Sequence, residues 1–179
     1  EEDRAAEHYQ RLLSRLSPAL VNLTPEEIRG QSGREILDRV FDHVAASVAD
    51  EHRGRVTSSN LDERVQQVLS VLTEEGILRE VEDGGDFYRL NNAGCPYRST
   101  AMETAACCSA DRRTIELLLD VPVEQVMTLA DGGHQCEYLV SKGAPRGARH
   151  DDEAANTAIA GGLLPVVAQT AQKGTTTQR

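Results

Sequence analysis

Between residues 60 and 90 the chain is punctuated so closely that few architectures can accommodate it. Asn60 can cap a helix, and Glu63 follows three positions on. An apolar stripe continues to residue 75, and Gly76 is a natural helix stop. Two short segments, 77–82 and 87–90, then flank Asp83-Gly84-Gly85. Asp-Gly between alternating segments is a strong hairpin signal, because its residues tolerate the positive φ of tight turns. A helix running directly into a hairpin requires an antiparallel sheet with a helix to cover it.

The flanking sequence extends the pattern. Tyr9, Leu12, Leu13, Leu16 and Leu20 recur at three- and four-residue steps and predict a helix over residues 3–22. Thr24-Pro25-Glu26-Glu27 is a second helix start, with a capping box and a proline suited to the first helical position. A longer helix is expected over 34–53, with Ile36, Leu37, Val40, Phe41, Val44 and Val48 on one stripe. After a loop bearing Cys95-Pro96, two short helices are expected over 99–107 and 111–119. A second hairpin follows, 123–129 and 134–140, across Ala130-Asp131-Gly132-Gly133. The expected fold is α+β: N-terminal helices, then an antiparallel sheet of two hairpins with covering helices. Its divisions are an N-terminal helical segment over 1–33 for linkage or dimerisation, a cysteine-bearing domain over 34–142, and a Gly/Ala/Thr/Gln-rich, disordered tail over 143–179.

Composition narrows the functions open to such a fold. The 179 residues carry a net charge of −10, with no Trp and two Phe, so the core must be mostly Leu, Val and Ala. An acidic surface repels phosphate, which makes these residues alone a poor nucleic-acid binder. No apolar run approaches the length of a membrane span, and Glu-Glu-Asp at the start has the wrong sign for a signal peptide. Cytoplasm is the expected compartment. There thiols stay reduced, and grouped cysteines favour metal binding over disulfides.

Cys95, Cys108 and Cys136 are the chemical feature. Twelve residues separate the first pair and twenty-seven the second. Thiolates select zinc, copper(I) and iron–sulfur clusters. The spacing is looser than paired CxxC motifs, so alone it leaves buried small hydrophobes as an alternative. Proline after Cys95 favours extended backbone there. Cys108 falls at an expected break between helices, where amide donors and the helix dipole lower a thiol pKa. Cys136 falls on the last strand.

The residues around these cysteines resemble a known family. Asn92-Ala93-Gly94-Cys95-Pro96-Tyr97, Cys108, Leu117-Leu118-Leu119-Asp120-Val121-Pro122-Val123, Asp131-Gly132 and Cys136-Glu137-Tyr138 are similar to the sensor domain of SufR-type (ArsR/DeoR-like winged-helix) iron–sulfur transcriptional repressors. The similarity covers residues 34–142 and is firmest from 61 to 140. It implies a [4Fe–4S] cluster held by Cys95, Cys108 and Cys136, a homodimer, and repression of cluster-assembly genes. DNA would be contacted only through a winged-helix domain absent from this chain. Asp120 stands where the family usually has glycine, and Cys107 is an additional neighbour of Cys108. Three cysteines leave one iron of a cubane open. His134, two positions before Cys136, and Cys107 are candidates for the fourth ligand, as are Asp131 and solvent.

Other readings compete. Three cysteines and a histidine are an ordinary zinc set, and a zinc- or small-molecule-binding regulatory domain without redox sensing is the alternative. An enzyme is not expected, because a Cys–His pair from Cys136 with His134 or His150 lacks an orienting group or oxyanion loop. Gly84-Gly85 and Gly132-Gly133 read as hairpin turns, since no helix follows either directly. Residues 61–90 also match the last helix and wing of a winged helix. Leu61-Asp62-Glu63 and Glu74-Glu75 argue against that helix reading DNA.

Overall fold

In a computed structural model of the chain, residues 2–147 are described, with side chains from residue 6 onward. Helices α1 (Glu2–Val21), α2 (Pro25–Ile28), α3 (Gly33–His52) and α4 (Leu61–Glu75) precede strands β1 (Glu80–Asp83) and β2 (Phe87–Asn92). Helices α5 (Arg98–Glu103) and α6 (Ala106–Leu119) follow, then β3 (Glu124–Met127) and β4 (Cys136–Ser141). The fold is α+β, as expected. The two hairpins join into one antiparallel sheet of order β1-β2-β4-β3.

Helix starts follow local chemistry. Thr24 with Glu27 and Ser32 with Glu35 each form a complete capping box. The Asn60 side chain accepts from Glu63 N–H. Gly76 ends α4 at φ 76°, and Ile77 N–H and Leu78 N–H both return to Leu72 O. One expectation fails. No break separates residues 107 and 111, because α6 runs unbroken from Ala106 to Leu119. Cys107 and Cys108 therefore lie in its first turn. Asp111, a residue type that often starts a helix, sits one turn inside it.

One apolar core holds these elements together. Val40, Phe41, Val44, Ala45, Val48 and Ala49 of α3 pack against α6, whose Ile115, Leu118 and Leu119 are buried. Val65, Val68, Val71 and Leu72 of α4 join them. Each such side chain contributes about 1.5–3 kcal/mol on burial. Leu12 and Ala19 of α1 belong to the same core, so residues 1–33 and 34–142 share one packed interior. Alternation along the central strands directs Tyr88 and Leu90 of β2, and Tyr138 and Val140 of β4, toward that interior. The β1–β2 hairpin is therefore not a free wing: β2 pairs along its whole length with β4.

A half-buried charge network pins α1 in place. Arg15 reaches both Glu51 of α3 and Glu75 at the end of α4, and His52 Nε2 lies 2.8 Å from Glu75 Oε1. Of the expected tail, residues 143–147 are tied to the body through Gly147 N–H to Asp120 O at 2.9 Å. The remainder, with His150, lies outside the described residues.

Candidate metal centre

The three cysteines reach one region from three elements. Cys136 opens β4 and pairs in register with Asn92 at the end of β2. Cys95 follows Asn92 by three residues, so the turn out of β2 carries it back past the start of β4. Asn92 fixes that turn. It is 3% exposed, its Nδ2 donates to Gly76 O and Ile77 O, and its Oδ1 accepts from Gly94 N–H. Beyond Cys95, Tyr97 donates its hydroxyl to His8 O at 2.9 Å and meets Tyr9 edge-on at 5.4 Å. The cysteine loop is thus clamped between α1 and the end of α4. Cys108, in the first turn of α6, completes the group. Cys108 and Cys136 are buried and Cys95 is half-buried, and all three are free thiols.

All three thiols are held above the ordinary thiol value. Burial pushes the Cys95 thiol up to about 12, followed by the Asp111 charge and then by Cys136 and Cys108. Cys136 is raised by burial, with Cys108 and Asp111 among its charged neighbours. Cys108 is raised first by a hydrogen bond with the Cys107 side chain and then by burial. Two backbone amides oppose these shifts. The backbone amides of Tyr97, near Cys95, and of Leu129, near Cys136, favour a thiolate. Neutral thiols at pH 7 must release protons to bind a metal, which links loading to pH.

Two residues that the sequence did not offer as site residues have unusual surroundings near these thiols. Asp111 lies three residues after Cys108 on α6, hence on the same helix face. The residue is half-buried overall and lines a void of about 30 Å³ with Cys107 and Tyr97, yet its carboxyl is desolvated and pushed up to about 8. Tyr138 is fully buried on the same face of β4 as Cys136, and its hydroxyl finds no hydrogen-bond partner among the described residues. Its charged neighbours are Asp111 and the three cysteines. An unpaired buried hydroxyl costs about 1–3 kcal/mol.

The remaining candidates differ in placement, for Cys107 is hydrogen-bonded to Cys108 and the Asp131 charge reaches Cys108 and Cys136. His134 is exposed in the bend before β4, so it does not share a strand face with Cys136. Cys107 is buried, but its sulfur is directed to Thr104 O at 4.0 Å. Asp131 is exposed, and its carboxylate accepts from the Thr128 hydroxyl. A cleft of about 850 Å³ between α3 and α6 is lined by no thiol. Charges of both signs line it, Glu35 and Asp38 facing Arg112 and Arg113.

Three thiols are the donors that soft metals and iron–sulfur clusters take, and the orphaned Tyr138 hydroxyl lies on the same strand face as Cys136. The thiols are neighbours rather than an assembled polyhedron, for no three Cys, His, Asp or Glu side chains among the described residues stand in metal-holding geometry. No protein-family model, curated protein or solved structure matches the chain.

Proposed function

We propose that this chain is the sensor portion of a transcription regulator, and that Cys95, Cys108 and Cys136 hold a [4Fe–4S] cluster. The supporting observation is that these thiols, from a loop, a helix start and a strand, all pack in or against one core, with the unpartnered Tyr138 hydroxyl on the strand face of Cys136. The cluster would supply a redox- and iron-sensitive cross-link. The chain's own part is to carry its presence outward. The Cys95 loop is clamped to α1 through Tyr97 and His8 O, and to the end of α4 through Asn92. Cys108 opens α6, whose buried face packs along α3. Drawing the three sulfurs together therefore biases the seating of α1 and α3, the helices through which a homodimer would set the spacing of DNA-reading domains outside these residues. Control of cluster-assembly genes and a reducing cytoplasm complete the reading, and no catalytic step is part of it. Among the described residues no helix is long and apolar enough to cross a membrane.

Anaerobic reconstitution with iron and sulfide tests the assignment. Broad visible absorbance with matching iron and sulfide is expected, and each of Cys95→Ser, Cys108→Ser and Cys136→Ser should abolish retention. Cys107→Ser should only weaken it. Colourless protein carrying zinc would replace the cluster with a structural zinc ion.

A further inference from the structure

We infer that the outward face of α1, centred on Leu13 and Leu20, is where two copies of this chain pair, with the helices antiparallel. The inference deepens the homodimer of the proposed sensor, and it rests on that reading for what the pairing does, not for the pairing itself.

Spacing and exposure pick out the face. Helix α1 turns His8, Leu12, Arg15 and Ala19 inward. One position along, about a quarter-turn round the helix, Tyr9, Leu13, Leu16 and Leu20 form a second stripe. Its alternating four- and three-residue steps are those of a coiled-coil seam. Tyr9 and Leu16 are half-buried at the inner margin of that stripe, but Leu13 is 62% and Leu20 60% exposed. Val21, next to Leu20 at the helix end, is 81% exposed. With Ile28 of α2, these are four of the six large apolar side chains exposed among the described residues, so the uncovered apolar surface is concentrated in the N-terminal helices. Single exposed apolar residues need no explanation, but a concentration of them marks a contact surface.

Charge decides what covers this face. Residues 12–14 and 16–25 contain no charged side chain. Arg15, between them, is turned inward onto Glu51 and Glu75. The face is therefore neutral on a chain of net charge −10, and it offers nothing to attract a charged partner. Helices that lie on membranes carry Lys and Arg beside their apolar face. Here Arg11 and Arg15 are engaged instead, with Glu74 O and with the two glutamates. Two copies of an acidic chain repel, and they approach most closely where neither presents charge, which this face allows. A two-fold axis makes such a contact reciprocal. Antiparallel helices crossing near Leu16 and Ser17 set Leu13 of each copy against Leu20 of the other. Parallel pairing would bring together the two acidic starts, Glu1-Glu2-Asp3 and Glu7, and would align the helix dipoles unfavourably.

Sedimentation velocity of the full chain without metal, over a concentration series, is the test. The mass should rise from 19.5 kDa toward twice that value. The rise should fall at micromolar concentrations, because the face is small beside a standard interface of about 800 Å² per partner. Leu13→Lys and Leu20→Glu should each weaken association about 30-fold or more, with circular dichroism unchanged because both positions are exposed. An equimolar mixture of the two variants should dimerise again, since antiparallel pairing sets the introduced cation against the introduced carboxylate and keeps one native leucine pair. A native chain that is monomeric at every concentration would overturn the inference, and so would a dimer that both variants retain. Variants that stay monomeric when mixed would overturn the antiparallel geometry it asserts. If either variant misfolds, Leu13→Ser combined with Leu20→Ser replaces it, and native association there would overturn the inference. A monomeric chain that binds vesicles of phosphatidylcholine and phosphatidylglycerol through Leu13 would overturn it in favour of a membrane. A native chain that stays monomeric yet assembles a cluster would remove this pairing and leave the thiol site. One that dimerises as described but takes up no iron and sulfide would remove the cluster reading and leave the pairing standing.

Discussion

Asp120 ends α6 at φ 60° and ψ 32°, in the left-handed region where a Cβ crowds the following carbonyl. This explains why glycine would suit the position where the family resemblance expects it. The Asp120 side chain offers little in return. Its carboxylate is 3.7 Å from Arg146 and both partners are about half exposed, and such surface pairs are worth about 0–1 kcal/mol. Asp120→Gly should therefore raise the unfolding free energy by about 0.5 kcal/mol, and Asp120→Val should lower it by about 1–2 kcal/mol. Urea denaturation of both variants measures this, and a loss of stability in the glycine variant would contradict it. Glu75 illustrates the opposite balance. Burial opposes its ionisation, but hydrogen bonds from Arg15 and His52 outweigh burial and hold the carboxyl at about 2, against an ordinary 4.5. Its folded pKa is depressed, so its contribution is complete above pH 4.5 and is lost as pH falls from there through 2. Glu75→Gln should cost about 1.5–3 kcal/mol at pH 7 and flatten the acid limb of the stability profile. An acid limb unchanged by the substitution would mean that the Arg15–His52–Glu75 cluster is not a source of stability.

At the level of elements, Gly76 is where the cysteine loop, α1 and α4 meet. It needs positive φ to end α4, and a Cβ there would stand 3.0 Å from His8 Cε1 and 3.3 Å from Pro96 Cγ. Gly76→Ala should destabilise by about 1–2 kcal/mol from backbone strain. Because His8 and, less tightly, Pro96 are crowded, and both adjoin the cysteine loop, the variant should also bind metal more weakly, whereas a pure helix-cap defect would lower the melting temperature with metal affinity intact. The same end of α4 shows what could be read in advance. Asn60, Gly76, Thr24 and the Asp83-Gly84-Gly85 turn set element boundaries because each acts through its immediate neighbours, and the structure keeps those boundaries closely. The joining of the two hairpins through β2 and β4 depends on pairing between distant segments, which local signals do not encode. Residue 111 failed for a related reason. Aspartate after Ser109-Ala110 looks like a helix start, but burial of Ala106, Cys107 and Cys108 carries α6 upstream past it. Splitting the helix there hid the three-residue spacing between Cys108 and Asp111. The three principal cysteines stood out by spacing and resemblance, and the structure packs all three in or against one core. Tyr138 did not stand out, because its role depends on the neighbours that packing gives it. His134 drew attention from a strand that begins only at Cys136.

For the molecule as a whole, charge and packing set separate expectations. With a net charge of −10, these residues alone should give no sequence-selective shift of promoter DNA at low salt. A tight, selective complex would show that α4 and its hairpin read DNA after all. Metal loading should divide the fold unequally. The segment from Ala93 to Ala105 contains the short helix α5, exposes Met102, and is held mainly through Asn92, Tyr97 and Ala101. A six-residue helix is marginal without tertiary support. From Thr114 onward, by contrast, α6 is fixed by Ile115, Leu118 and Leu119, each at most 2% exposed, and by its long contact with α3. Sequence alone would place the whole stretch 91–119 at risk on metal loss. The packing confines that risk to its first half and to the opening turn of α6. Hydrogen exchange on loaded and stripped protein should show protection falling over residues 93–108 and unchanged over 114–119 and in α3. Loss spread evenly through α6 would mean that the metal holds the core together rather than tightening a loop against it. Equal protection of residues 93–108 in the two forms would leave the three thiols without a mechanical link to the helices, and the sensing role would have to be given up even if metal were bound.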